Sequence, residues 1–152
     1  MNLQTINKNK LLEQLNEQFG IKEIPENTFL IKLGEEKIFA FSGDLKLLWK
    51  LEKLNINIAG VGNYVAKEER GQLRLSIEGT HLFKNQINKN IFELNKEQKD
   101  LWMHGSQLDI ETNKRGFLIM KYEDDFLGTG KASENKIGNF IPKNRRLKHK
   151  EY

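Results

Sequence analysis

The chain has no cysteine. That absence removes disulfides, thiolate metal sites, iron–sulfur clusters and every mechanism built on a cysteine nucleophile. No apolar run approaches the roughly eighteen residues a membrane span needs. The opening Met-Asn-Leu-Gln-Thr-Ile-Asn-Lys lacks the apolar core of a signal peptide, so the expected location is cytoplasmic, with no membrane partner. Histidine is scarce: His81, His104 and His149 have no metal-ligand spacing, and no metal is expected. No Ser/His/Asp trio is suggested by spacing. The paired carboxylates Asp124-Asp125 sit in a turn, where Asp is common anyway. At 152 residues the chain is too short for a cofactor-binding Rossmann domain plus a substrate domain, so no cofactor is expected.

What remains is enough to fold. Hydrophobic residues make up 38% of the chain, which supports a packed core in one compact domain or in two very small ones sharing it. The net charge is +4, and residues 141–152 hold five basic residues against one acid, so this segment carries all of it and the body is neutral. A localised cationic segment on a neutral body is an anion-binding footprint, for nucleic acid phosphates or an acidic membrane surface. The plainer alternative is a solvated tail that aids solubility. With 20 lysines, 16 asparagines and 14 isoleucines the usage is that of an A/T-rich genome, so single lysines say little. The five arginines, Arg70, Arg74, Arg115, Arg145 and Arg146, say more.

Leu11, Leu12, Leu15 and Phe19 fall at helical spacing before Gly20, which predicts an amphipathic helix over about 5–19. Residues 28–33 and 37–41 read as a hairpin around Gly34-Glu35-Glu36. Asp44 is placed to cap a helix running to about Lys53. Residues 56–66 read as a strand bent at Gly60 and Gly62, followed by a polar turn over 67–71 and a short strand at 72–75. Ser76 opens a short helix ending near Phe83, and the polar stretch 84–90 reads as a boundary. Beyond it, Asn95 and Gln98 form a capping box for a helix closed by Gly105. Strands at 116–122 and 126–133 around Glu123-Asp124-Asp125, and an extended piece at 137–142, make an antiparallel meander able to curl into a small barrel. The aromatics Tyr64 and Phe140 read more readily as core than as stacking platforms.

Gly128-Thr129-Gly130-Lys131 is not a phosphate loop: Asp125 stands where its first Gly belongs, and Ala132 replaces the metal-binding hydroxyl. Gly60-Val61-Gly62 is only a fragment of a dinucleotide fingerprint, with Val65 at the third glycine. As strand residues, Gly128 and Gly130 strip side chains from one face and admit a close backbone, while Thr129 and Lys131 point to the other. Barrel curvature without a ligand is the competing explanation for these glycines.

The run from Gly105 to Leu147 resembles the C-terminal PUA-like RNA-binding domain of RsmF-type 5-methylcytosine RNA methyltransferases of the Nol/Nop/Sun family. The residues that carry the resemblance are Leu127-Gly128-Thr129-Gly130-Lys131 and Asn139-Phe140-Ile141-Pro142-Lys143-Asn144-Arg145-Arg146. The piece from Ile58 to Phe83 is similar to the segment preceding that domain. Residues 1–55 resemble the α/β part that precedes a PUA domain in small archaeal proteins. The resemblance implies an α+β fold, with a mixed α/β region over 1–90, a PUA-like antiparallel β-barrel over 91–148 and a tail at 149–152. It implies the RNA-binding part without the chemistry, since the catalytic cysteine of those enzymes has no counterpart here.

The expected function is therefore non-catalytic binding of structured rRNA or tRNA, in ribosome assembly or RNA modification. Lys143, Arg145, Arg146 and Lys148 would neutralise phosphates, and Lys131 would extend that patch. Arg70 and Arg74 would lie on a hairpin, although either could instead pair with Glu68, Glu69 or Glu78. Gly128 and Gly130 complete the expected RNA-binding set. The alternative is an interaction subunit for a separately encoded RNA methyltransferase or a ribosome-assembly factor.

Overall fold

A computed structural model describes residues 3–54 and 62–148. The opening of the strand expected at 56–66, the glycine pair's Gly60, and the tail 149–152 lie outside the described residues.

Five strands form the first sheet in sequence order: β1 (Leu3–Thr5), β2 (Phe29–Leu33), β3 (Lys37–Phe41), β4 (Asn63–Glu69) and β5 (Gln72–Leu75), all antiparallel. The first helix does not begin at residue 5. Leu3–Thr5 pairs with Ile31–Leu33, and α1 (Lys8–Phe19) starts where the Asn7 side chain accepts the Lys10 amide at 3.2 Å. Alternation along β2 sorts the two faces. Ile31 and Leu33 pack with Leu3, Leu48 and Trp49 of α2 (Leu45–Lys53), whereas Leu30 packs with Ile38 and the α1 residues Leu11 and Leu15. Asp44 caps α2 as predicted, accepting the Lys46 amide at 2.8 Å. The edge strand β5 is closed by α1: Gln18 accepts from the Leu73 amide at 2.7 Å and donates to its carbonyl at 3.1 Å. An edge whose backbone groups are satisfied in this way offers no template for further strand pairing.

The polar run Lys67-Glu68-Glu69 is strand rather than turn. Its charges are paired across the sheet, Lys32 with Glu68 at 3.1 Å and Lys67 with Glu36 at 3.2 Å, so a polar sequence sits in a ladder. The turn itself is only Arg70-Gly71, both at positive φ (50° and 78°), the geometry a two-residue hairpin loop demands.

α3 (Ile77–Leu82), capped by Ser76, leads to the second sheet. This has β6 (Ile91–Glu93), β7 (Gly116–Tyr122), β8 (Asp125–Ala132) and β9 (Ile137–Asn139), in that order. The meander β7–β8–β9 is antiparallel as predicted, but β6, which has no counterpart among the expected strands, pairs parallel to β7. No pairing joins β6 to β9 among the described residues, so the sheet is four-stranded and not closed into a barrel by its ladders. α4 (Lys96–Met103) carries the capping box of Asn95 and Gln98, with Gly105 at φ 91° beyond it. Trp102 is fully buried against Leu118, Met120 and Ile137, its indole donating to the Leu127 carbonyl at 2.9 Å.

The stretch 84–90 is fastened down. Gln86 accepts the amides of Lys22 and Glu23 at 2.9 and 3.0 Å and donates to the Glu23 carbonyl at 2.9 Å, while the Asn88 amide donates to the Phe19 carbonyl at 2.9 Å. One core cluster crosses it: Phe117, Ile119 and Phe126 of the second sheet pack with Leu15, Phe19, Val65 and Leu73 of the first region.

Candidate nucleic-acid interface

The two regions meet along a band that starts at the β4–β5 hairpin. Its tight turn holds Arg70 exposed at the tip. Lys131 on β8 is also exposed, and the register places it opposite Phe117 on β7 and Gly138 on β9. Arg70 and Lys131 line one groove of about 360 Å³ with Lys67, Glu36, Glu69 and Phe117. Glu36 beside Lys67 holds its ammonium above the ordinary lysine range by hydrogen bonding, so Lys67 stays charged but compensated. Arg70 and Lys131 have no ion-pair partner among the described residues, and they supply the groove's uncompensated charge.

Phe117 carries the band onward. Its ring meets the edge of Phe140 at 6.2 Å, and the Arg74 guanidinium lies 4.0 Å over the Phe140 ring. Phe140 is 37% exposed, so it is not the core residue that sequence reasoning favoured. The connection after β9 turns it outward: the Asn139 side chain donates to the carbonyls of Trp102 and Ser106, both at 2.9 Å, and accepts the Ile141 amide at 2.8 Å. Arg74 has a long 3.6 Å contact with Glu69. Of the other candidate partners, Glu68 is taken by Lys32 and Glu78 by Arg145. Tyr64, half-buried, tilts against Phe39 at 5.7 Å.

Arg74, Phe140, Glu78 and Arg145 rim a cleft of about 70 Å³ between the two regions, with Tyr64, Ile77, Gly128, Thr129, Ile141 and Pro142 among its walls. Gly128 sits at φ 81°, and a Cβ there would stand 3.2 Å from Ile77 Cγ1, so this glycine admits the start of α3. Gly130 differs: a Cβ would collide with the side chains of Ile137 and Trp102 at 2.5 and 2.8 Å, so it makes room for an indole rather than for a backbone. Nor do Thr129 and Lys131 share an exposed face. Lys131 is exposed, but Thr129 is only 3% exposed, shut in by the cleft walls, and its hydroxyl has no hydrogen-bond partner.

The basic segment divides. Lys143 and Lys148 are exposed, with no partner among the described residues, on and beyond a short 3₁₀ turn at Lys143–Arg145. Arg145 pairs with Glu78. Arg146 donates through Nε to the Ile141 carbonyl at 3.0 Å and lies against Gly105, where a Cβ would meet it at 2.3 Å. The Leu147 amide donates to the Met103 carbonyl at 2.8 Å. Arg146 is thus a clasp on the end of α4, held through its Nε. Sequence reasoning missed Thr129, Phe117 and Lys67 as members of the band. Only pairing across the two regions brings them there, and no local signal in the chain announced it.

Compared with protein-family models, residues 89–147 match the methyltransferase RsmF PUA domain. This stretch is thus a PUA-like domain resembling the RsmF C-terminal one, and it spans β6 to the 3₁₀ turn. No curated protein matches the chain.

Proposed function

We propose that this protein binds RNA without transforming it, as an accessory to RNA modification or ribosome assembly, with structured rRNA or tRNA as its partner. One observation carries the reading. The PUA-like segment does not stand alone but joins β4–β5 to make a band in which the uncompensated cations Arg70 and Lys131 lie with the exposed Phe140 and the Arg74 guanidinium over its ring. Such a band suits RNA, whose backbone needs cations and whose unpaired bases stack on aromatic and guanidinium planes. The chain itself has no thiol to act as a cysteine nucleophile, in keeping with a binding role. The reading places the protein in the cytoplasm. Affinity for a labelled transfer RNA, measured across salt concentrations, tests it. Binding should weaken steeply with salt, by a log–log slope of about −0.7 for each single-stranded phosphate neutralised. Weak, salt-indifferent binding refutes it.

A second reading, an interaction subunit for a separately encoded methyltransferase or assembly complex, has its own support. Away from the band lies an apolar groove of about 520 Å³ lined by Pro25, Phe29, Leu45 and Trp49. Phe29 is 43% exposed there. Co-purification that survives ribonuclease treatment favours this reading, and loss of all partners on treatment removes it.

A further inference from the structure

Thr129 Oγ1 is the one buried side-chain polar atom among the described residues with no hydrogen-bond partner, and Thr129 is among the residues that line the cleft between the two regions. A buried hydroxyl left unpaired costs stability, and a valine would fill the same volume without that cost. An orphan of this kind asks for a ligand. Building on the RNA-binding reading above, we infer that the cleft holds a single unpaired nucleobase, with Thr129 Oγ1 hydrogen-bonding its edge and the Arg74–Phe140 pair flanking its ring.

The cleft's chemistry selects a base over a phosphate. Its walls include the apolar Ile77, Ile141 and Pro142, which offer a phosphate nothing, and the Glu78 carboxylate in its rim is an acceptor for base N–H groups. Arg145 is already engaged by Glu78, which leaves the cleft without a strong local excess of positive charge. The Arg74 guanidinium lies 4.0 Å over the Phe140 ring, with Nη1 also 3.6 Å from Glu69, and a guanidinium against an aromatic ring extends the surface on which a base stacks. Size agrees as well. A cleft of about 70 Å³ admits the edge of one base but not a whole nucleotide. Sugar and phosphate then remain outside the cleft, whose lining residue Pro142 is followed in the chain by the exposed Lys143.

The test uses uncharged ribonucleosides, so that backbone cations contribute nothing, and follows the amide resonances of the full chain. Adenosine, guanosine, cytidine and uridine are titrated in turn, with ribose 5-phosphate as the control. At least one nucleoside should shift the amides of Gly128, Thr129 and Ile141 saturably, and ribose 5-phosphate should not. Thr129→Val should melt no lower than the parent yet bind that nucleoside about three- to tenfold more weakly, the worth of one hydrogen bond. Thr129→Ser, which keeps the hydroxyl, should retain most of the affinity. The inference falls if no nucleoside moves these amides, if ribose 5-phosphate moves them equally, or if Thr129→Val binds as well as the parent. An eight-nucleotide RNA scanned with abasic positions separates the two readings. If the oligonucleotide binds but nucleosides do not, the cleft is no base pocket and RNA binding stands. If nucleosides bind but no RNA does, the pocket stands and the RNA reading falls.

Discussion

Arg146 and Lys148 are two residues apart, yet among the described residues only Arg146 has a partner. Arg146 holds the Ile141 carbonyl and covers Gly105, while Lys148 holds nothing among the described residues. Charge counting treats them alike, and the contacts do not. On the RNA-binding reading proposed above, the candidates for phosphate binding are therefore the unpartnered ones, and the triple change Lys131→Ala, Lys143→Ala, Lys148→Ala isolates them. It should flatten the log–log salt dependence of RNA affinity by about 2, at ~0.7 per contact. It should leave the melting temperature nearly unchanged, because exposed charges are usually worth under ~0.5 kcal/mol each to folding. Arg146→Ala is the opposite case. It strips a partner from a carbonyl and removes packing from the end of α4, so it should lower stability by about 1–2 kcal/mol. Salt-dependent binding and thermal melts of both variants check the division; a stable Arg146→Ala protein with a flattened slope would reverse it.

At the scale of elements, the local signals were legible wherever the chain states its own rule. The caps at Asp44, Ser76 and Asn95, the capping-box Gln98 and the hairpin glycine Gly34 each act within a few residues of themselves, and the elements they bound appear as read. Elements that depend on distant partners were not legible. Leu3–Thr5 is a strand because β2 lies beside it, β6 because β7 does, and Lys67–Glu69 because Glu36 and Lys32 meet its charges. The same holds at the candidate site: the arginines and Lys131 could be named, but the orphan Thr129 and the outward Phe140 needed the fold. The segment 84–90 shows the principle most simply, since its polar residues look like linker and act as ties. Gln86→Ala removes three hydrogen bonds to the backbone of residues 22 and 23. It should cost about 1 kcal/mol and speed hydrogen exchange at the Lys22 and Glu23 amides while β7 keeps its protection. Uniform loss of protection would show that the tie supports the whole fold rather than the end of α1.

For the whole molecule, the boundary drawn by sequence similarity and the boundary drawn by packing disagree. The family match begins at residue 89, yet Phe117, Ile119 and Phe126, which lie inside it, are buried among Leu11, Leu15, Phe19, Val65 and Leu73, which lie outside. Ile119 is fully buried, and so are Phe19 and Leu73 on the other side of the boundary. A segment cut out at residue 89 would expose that apolar face to water, at roughly 25 cal/mol for each Å² uncovered, and small domains have little stability in reserve. The intact chain should therefore melt in one transition, and the isolated segment 89–148 should be aggregated or without a cooperative melt. Ile119→Ala supplies the same test without a cut. Truncating a fully buried isoleucine in a shared cluster should cost about 2–5 kcal/mol, and protection from exchange should fall in β4 and α1 as much as in β7. If β4 and α1 keep their protection while β7 loses it, the two regions fold independently. The band of Arg70, Lys131, Phe140 and Arg74 would then be a contact between two domains and not a product of one core.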